Sequence, residues 1–213
     1  NTLSPYDYIY SELFSNLLRN AEVELPDYEE IYFSIGKTMQ QAKEEIALDE
    51  FFKYTYSTID LSEYNRANEK GKANMVFQSM CEGLRLIADF DHLEKEKIEA
   101  VIGEIAAKGM DMELTYATAK NKDFFVEIIY HVPASHLTKA EYRIKLTEIS
   151  TKRTGIVSID KLITYYAPYS LVKIQIKKNE IIIKGRNSVR AEISREIDKL
   201  PSEYRFRIDA ILD

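Results

Sequence analysis

Glu127 and His131 stand four residues apart in a run of alternating apolar residues, so on a strand both project from one face. A carboxylate beside an imidazole can serve as a general acid–base pair or as half a metal site. His136 follows five residues later in a loop. No second carboxylate at ligand spacing joins them, so an exposed strand face with incidental polar groups is the plainer expectation. Gly36-Lys37-Thr38 matches the end of a phosphate-binding P-loop, but the glycine required five residues earlier is Ile31. Cys81 falls mid-helix beside Glu82, without the cation or helix N-terminus that activates a thiol. It is expected to be a small buried hydrophobe.

The best local anion site is Lys184-Gly185-Arg186-Asn187-Ser188, ahead of a helix expected over Val189–Leu200. Free backbone N–H groups at that helix start, with Lys184, Arg186 and Arg190 nearby, would suit a phosphate or carboxylate. A capped turn with solvated cations is the alternative. Seven Lys and Arg face two Glu between residues 173 and 195. No aromatic interleaves them, which counts against stacking on single-stranded nucleic acid. If nucleic acid binds at all, this is where it binds. An enzyme acting here on a phosphate or nucleic acid is the second functional expectation, with Glu127 and His131 moving the proton.

The opposite charge lies earlier. Glu22, Glu24, Asp27, Glu29 and Glu30 fall within nine residues that hold no cation, with Tyr28 and Tyr32 interleaved. Residues 1–120 carry 12 Lys and Arg against 23 Asp and Glu, whereas residues 121–213 carry 17 against 12. Such fields steer charged partners and discourage wrong ones, although two solvated faces attracting each other within the fold would read the same way. The first functional expectation is therefore a non-enzymatic module docking on a basic protein. Glu22, Glu24, Asp27, Tyr28, Glu29, Glu30 and Tyr32 are its expected contacts, the tyrosines as anchors and the carboxylates as a charged rim. In composition and size the chain is similar to bacterial immunity proteins, which cap the basic cleft of a toxin. No family motif carries that likeness.

The 213 residues, 45% hydrophobic and 30% charged, are enough to bury a core without a disulfide or metal staple. One cysteine excludes an internal disulfide and a thiolate zinc cluster, and three histidines leave little for a His-rich site. No cofactor or metal is expected. No apolar run reaches the ~18 residues of a membrane span. The first residues lack the charged-then-apolar pattern of an export signal, so a cytoplasmic, soluble protein without membrane contact is expected.

The elements that must position these groups follow from periodicity. Ser4-Pro5 and Asp7 mark a helix start, and Tyr6, Ile9, Tyr10, Leu13, Phe14 and Leu17 give it one apolar face ending near Asn20. Pro26-Asp27 opens either a second helix through Ile46 or, given Gly36, a strand followed by a helix. Phe51–Ile59 reads as a strand and residues 60–71 as a polar connection. Two helices follow, on Ala73 to Ile87 and Ile98 to Ile105, with Asp91 and Glu94 as a capping box and Gly109 as the stop. The period then becomes two: a hairpin turning at Asn121-Lys122, a strand at Tyr142–Leu146, a short helix over 158–167, a hairpin turning at Lys178-Asn179, the helix at 189–200 and a last strand over 204–212. A mainly helical first half before antiparallel hairpins and two short helices is the α+β class. One domain over 1–213 is expected, with subdomains 1–110 and 111–213 as the alternative.

Overall fold

The computed structural model describes residues 3–26, 28–44, 52–163 and 167–213, and it is an α+β protein. The chain forms two compact units, Asn1–Met110 and Asp111–Asp213.

In the first unit α1 (Tyr6–Asn20), α4 (Glu69–Phe90) and α5 (Lys95–Lys108) pack on one another. Helical spacing puts Tyr6, Ile9, Tyr10, Leu13 and Phe14 on the buried face of α1, and Phe14 stacks on Phe77 of α4. Gly109, at φ +77°, ends α5. Residues 30–44 take the strand-then-helix alternative: β1 (Glu30–Gly36), then α2 (Met39–Glu44), then β2 (Phe52–Thr58). The two strands are parallel, with Tyr32 opposite Tyr54. Gly36 is required at this turn, because a Cβ there would lie 2.7 Å from the Ala42 nitrogen. The short α3 (Leu61–Arg66) occupies the expected polar connection, capped by Asp60, whose side chain accepts from the Ser62 and Glu63 amides.

On the other side of α4 lies β2, with polar seams in place of bulk. The Thr55 hydroxyl donates to the Gly83 carbonyl at 2.5 Å, and the Ser57 and Ser79 hydroxyls share a hydrogen bond at 2.7 Å.

The second unit holds an antiparallel meander of β3 (Glu113–Lys120), β4 (Phe124–His131), β5 (Lys139–Glu148) and β6 (Thr154–Ile163). Asn121 fixes the first turn, its side-chain oxygen accepting from the Asp123 and Phe124 amides. Val126, Ile128, Tyr142, Ile144 and Leu146 alternate inward and are fully or almost fully buried. After α6 (Ala167–Ser170), a second antiparallel sheet takes β7 (Lys173–Ile176), β8 (Glu180–Lys184) and β9 (Glu203–Arg207), with α7 (Val189–Asp198) between the last two and α8 (Ile208–Leu212) at the end. Ile181, Ile182 and Ile183 of β8 are buried on both faces.

Two expectations change here. Residues 158–163 are strand, not helix: they pair with β5, Arg143 opposite Ser158, and a full ladder outweighs a weak local helical pattern. Of the rest of that expected helix, 164–166 lies outside the described residues and Ala167 opens the next helix, α6. The last strand stops at Arg207 because its partner β8 begins at Glu180, opposite Arg207. With no further strand to pair, the Ile208 amide donates to the Asn179 carbonyl and the chain coils into α8, burying Ile208 and Ile211. The apolar positions Val189, Ile193 and Ile197 of α7 face outward, and Ala191 is buried.

Candidate functional site

The acidic segment begins where α1 ends. Glu22 sits in the left-handed region at φ +53°, its amide bonded to the Arg19 carbonyl and the Val23 amide to the Leu18 carbonyl. This is a Schellman stop with glutamate in the position that usually holds glycine. The segment then runs past the corner between α4 and α5, tied at two points. Lys97 Nζ donates to the Glu22 carbonyl at 2.9 Å, and the Tyr28 hydroxyl donates to Asp91 Oδ2 at 3.0 Å. Asp91 therefore does not cap α5. Its other oxygen takes Lys53 Nζ at 2.9 Å, and Glu94 at the N-cap position makes no side-chain cap. Burial, then the bond to Asp91, pushes the Tyr28 hydroxyl well above the usual tyrosine range.

Glu22, Glu24, Glu29 and Glu30 are all exposed, whereas Asp27 lies outside the described residues. Tyr28 is half-buried and holds the segment in place. Tyr32 is the more exposed tyrosine, at 43%, and its hydroxyl donates to Glu30 Oε2 at 2.8 Å. Its ring meets Phe52 edge-on at 5.0 Å and lies 5.7 Å from Tyr54, forming an aromatic row across β1 and β2.

Two apolar residues that sequence reasoning missed stand at the same corner: Phe90, 74% exposed, and Leu86, 45% exposed. Lys53 Nζ lies 4.8 Å from the Phe90 ring centre and 5.7 Å from that of Tyr28, so a shared cation joins the two rings. The signal was present in the sequence. Leu86 and Phe90 are four apart and off the Ala73–Ile87 face.

The lysines at this corner are spoken for. Lys53 pairs with Asp91, Lys97 with Glu94 and Lys95 with Asp89. Among the described residues, Glu22, Glu24, Glu29 and Glu30 pair with no cation, and none stands between Ala21 and Gly36 in the sequence.

Lys184 and Arg186 make separate contacts. Lys184 points to Glu203, 3.7 Å away, and Glu203 is held low chiefly by Arg205. Arg186 is exposed, and its backbone carbonyl accepts from Arg195 Nη1 at 2.9 Å. Ser188 caps α7 by accepting from the Ala191 amide at 3.3 Å. Arg190 stands in the first turn of α7, and its side chain lies outside the described residues.

Glu127 and His131 share a face of β4, but each is engaged. Glu127 pairs with Lys145 at 3.5 Å. His131 Nδ1 lies 2.8 Å from the Asp111 carbonyl, which can only accept, so that nitrogen carries the proton. Nε2 then accepts from Arg143 Nη2 at 3.2 Å, and the same Arg143 pairs with Glu113 at 2.6 Å. This network fixes the imidazole and occupies the lone pair that a general base would use.

Cys81 is fully buried, and burial pushes its thiol up to about 12. Gly36-Lys37-Thr38 makes the turn from β1 into α2, with the Thr38 hydroxyl accepting from the Gln41 amide at 3.2 Å. Among the described residues no three His, Cys, Asp or Glu side chains gather as a metal-ligand group, and no helix is long and apolar enough to cross a membrane. No family profile, curated protein or solved structure matches the chain.

Proposed function

We propose that the chain is a non-enzymatic binding module whose acidic segment docks on a basic protein. One observation carries this reading: Glu22, Glu24, Glu29 and Glu30 are exposed and unpaired with cations among the described residues, beside a corner whose own lysines are neutralised. Exposed negative charge raises the encounter rate with a basic partner and repels nucleic acid. Capping of a basic cleft, as an immunity protein caps a toxin, is the form of docking that this surface suits, and we place the encounter in the cytoplasm.

The test is isolation of the protein from its native cells at low salt. A stoichiometric basic protein that salt elutes supports the reading. Bound nucleic acid, released by Lys184→Glu with Arg186→Glu, contradicts it and moves the working surface to the second unit.

A further inference from the structure

Resting on that reading, we infer that Phe90 and Leu86 form the apolar centre of the docking surface, and that the partner meets it with an apolar patch ringed by lysine and arginine. The two residues stand four apart on α4, hence on one side of the helix, and both are exposed. An exposed apolar patch rimmed by charged residues is the kind of surface that marks an interaction site.

Geometry joins them to the acidic segment. That segment is held at this corner by Lys97 on the Glu22 carbonyl and by Asp91 on the Tyr28 hydroxyl, and Asp91 directly follows Phe90. Lys53 packs against the rings of both Tyr28 and Phe90.

Charge then says what covers the pad. Lys53, Lys95 and Lys97 are each matched by a carboxylate of the corner, while Glu22, Glu24 and Glu29 have no cation among the described residues. The rim is therefore net negative around an apolar centre, which is the anatomy of a protein interface whose partner carries the opposite rim. A second copy would bring the same acidic rim, and juxtaposed like charges disfavour it.

The experiment uses the full chain and two synthetic helical peptides of equal charge. One is an amphipathic leucine–lysine helix, the other the same helix with serine for leucine. The leucine–lysine peptide should bind about tenfold or more tightly than the serine–lysine peptide. Phe90→Ser and Leu86→Ser, both at exposed positions that leave the fold intact, should each remove most of that preference. Charge-driven binding of both peptides should survive these two changes. Glu22→Lys with Glu24→Lys and Glu29→Lys should weaken both peptides alike. A preference that persists in both serine variants overturns the inference and leaves the charge reading standing. Binding of both peptides that ignores the triple reversal overturns the charge reading itself. Self-association of the wild-type chain in sedimentation, abolished by Phe90→Ser, would put a second copy on the pad and likewise overturn the inference.

Discussion

The Tyr28 hydroxyl donates to Asp91 across 63 residues of sequence, and with the Lys97 bond to the Glu22 carbonyl it holds the acidic segment against the corner between α4 and α5. Asp91 also compensates Lys53, so its two oxygens serve two distant parts of the first unit. Tyr28→Phe removes one hydrogen bond and should cost about 1 kcal/mol. Asp91→Ala should cost more, about 2–3 kcal/mol, because it leaves a half-buried lysine without its partner as well. Urea denaturation of both variants checks this, and equal costs would show that the Lys53 pair contributes nothing.

Glu22 occupies a left-handed position that favours glycine. Glu22→Gly relieves backbone strain and should raise stability by about 1 kcal/mol, seen as a higher melting temperature. The same change should slow docking, since it deletes one carboxylate of the rim. A variant neither more stable nor slower would show that neither strain nor charge resides at this residue.

Gly155 in β6 packs directly on α8. A Cβ at this position would lie 1.8 Å from the Ile211 carbonyl oxygen, which is backbone and cannot swing aside. Gly155→Ala should destabilise the second unit by about 2 kcal/mol or more, through forced displacement of α8. Unchanged chemical denaturation of this variant would show that α8 is loosely attached.

Stability should decline at alkaline pH. Tyr6 is pushed up to about 12, first by its hydrogen bond to Glu69 and then by burial, and Cys81 to about 12 by burial. Both folded values lie above the ordinary ones of 10.0 and 9.0, so the folded state holds these protons more tightly. Their contribution is complete below about pH 9 and is lost as pH rises through 9–10 toward 12. On the acid side, the Tyr6 hydroxyl and then Lys72 hold Glu69 below its ordinary 4.5, so its contribution is lost as pH falls below that value. Melting temperatures measured from neutral to alkaline pH should fall steadily above pH 9. Cys81 should resist thiol reagents in the native protein and react on unfolding. Prompt native labelling would place the thiol at the surface.

The helical half was legible because Ala73, Val76, Phe77, Met80, Leu84 and Ile87 repeat at helical spacing and all are buried. Strands whose ladder partners follow closely, such as β3 and β4, were legible for the same reason at period two. Residues 158–163 and 208–212 were misread because their fate depends on where a partner strand runs or stops, which local pattern does not encode. At the site, the exposed carboxylates could be read from composition. The roles of Tyr28 and Asp91 could not, since the bond between them spans two elements, and the capping-box pattern around Asp91 pointed to a purely local use. Phe90 was overlooked because an apolar residue off the buried face of a helix is ordinary taken singly.

The most direct measurement is the association rate of Glu22→Lys, Glu24→Lys, Glu29→Lys with the basic protein that copurifies, at low salt and near physiological salt. If the acidic segment steers docking, the triple variant should associate about tenfold or more slowly at low salt. The gap should narrow as the Debye length shortens to about 8 Å near physiological strength. A folded triple variant that associates at the wild-type rate under both conditions would contradict the account.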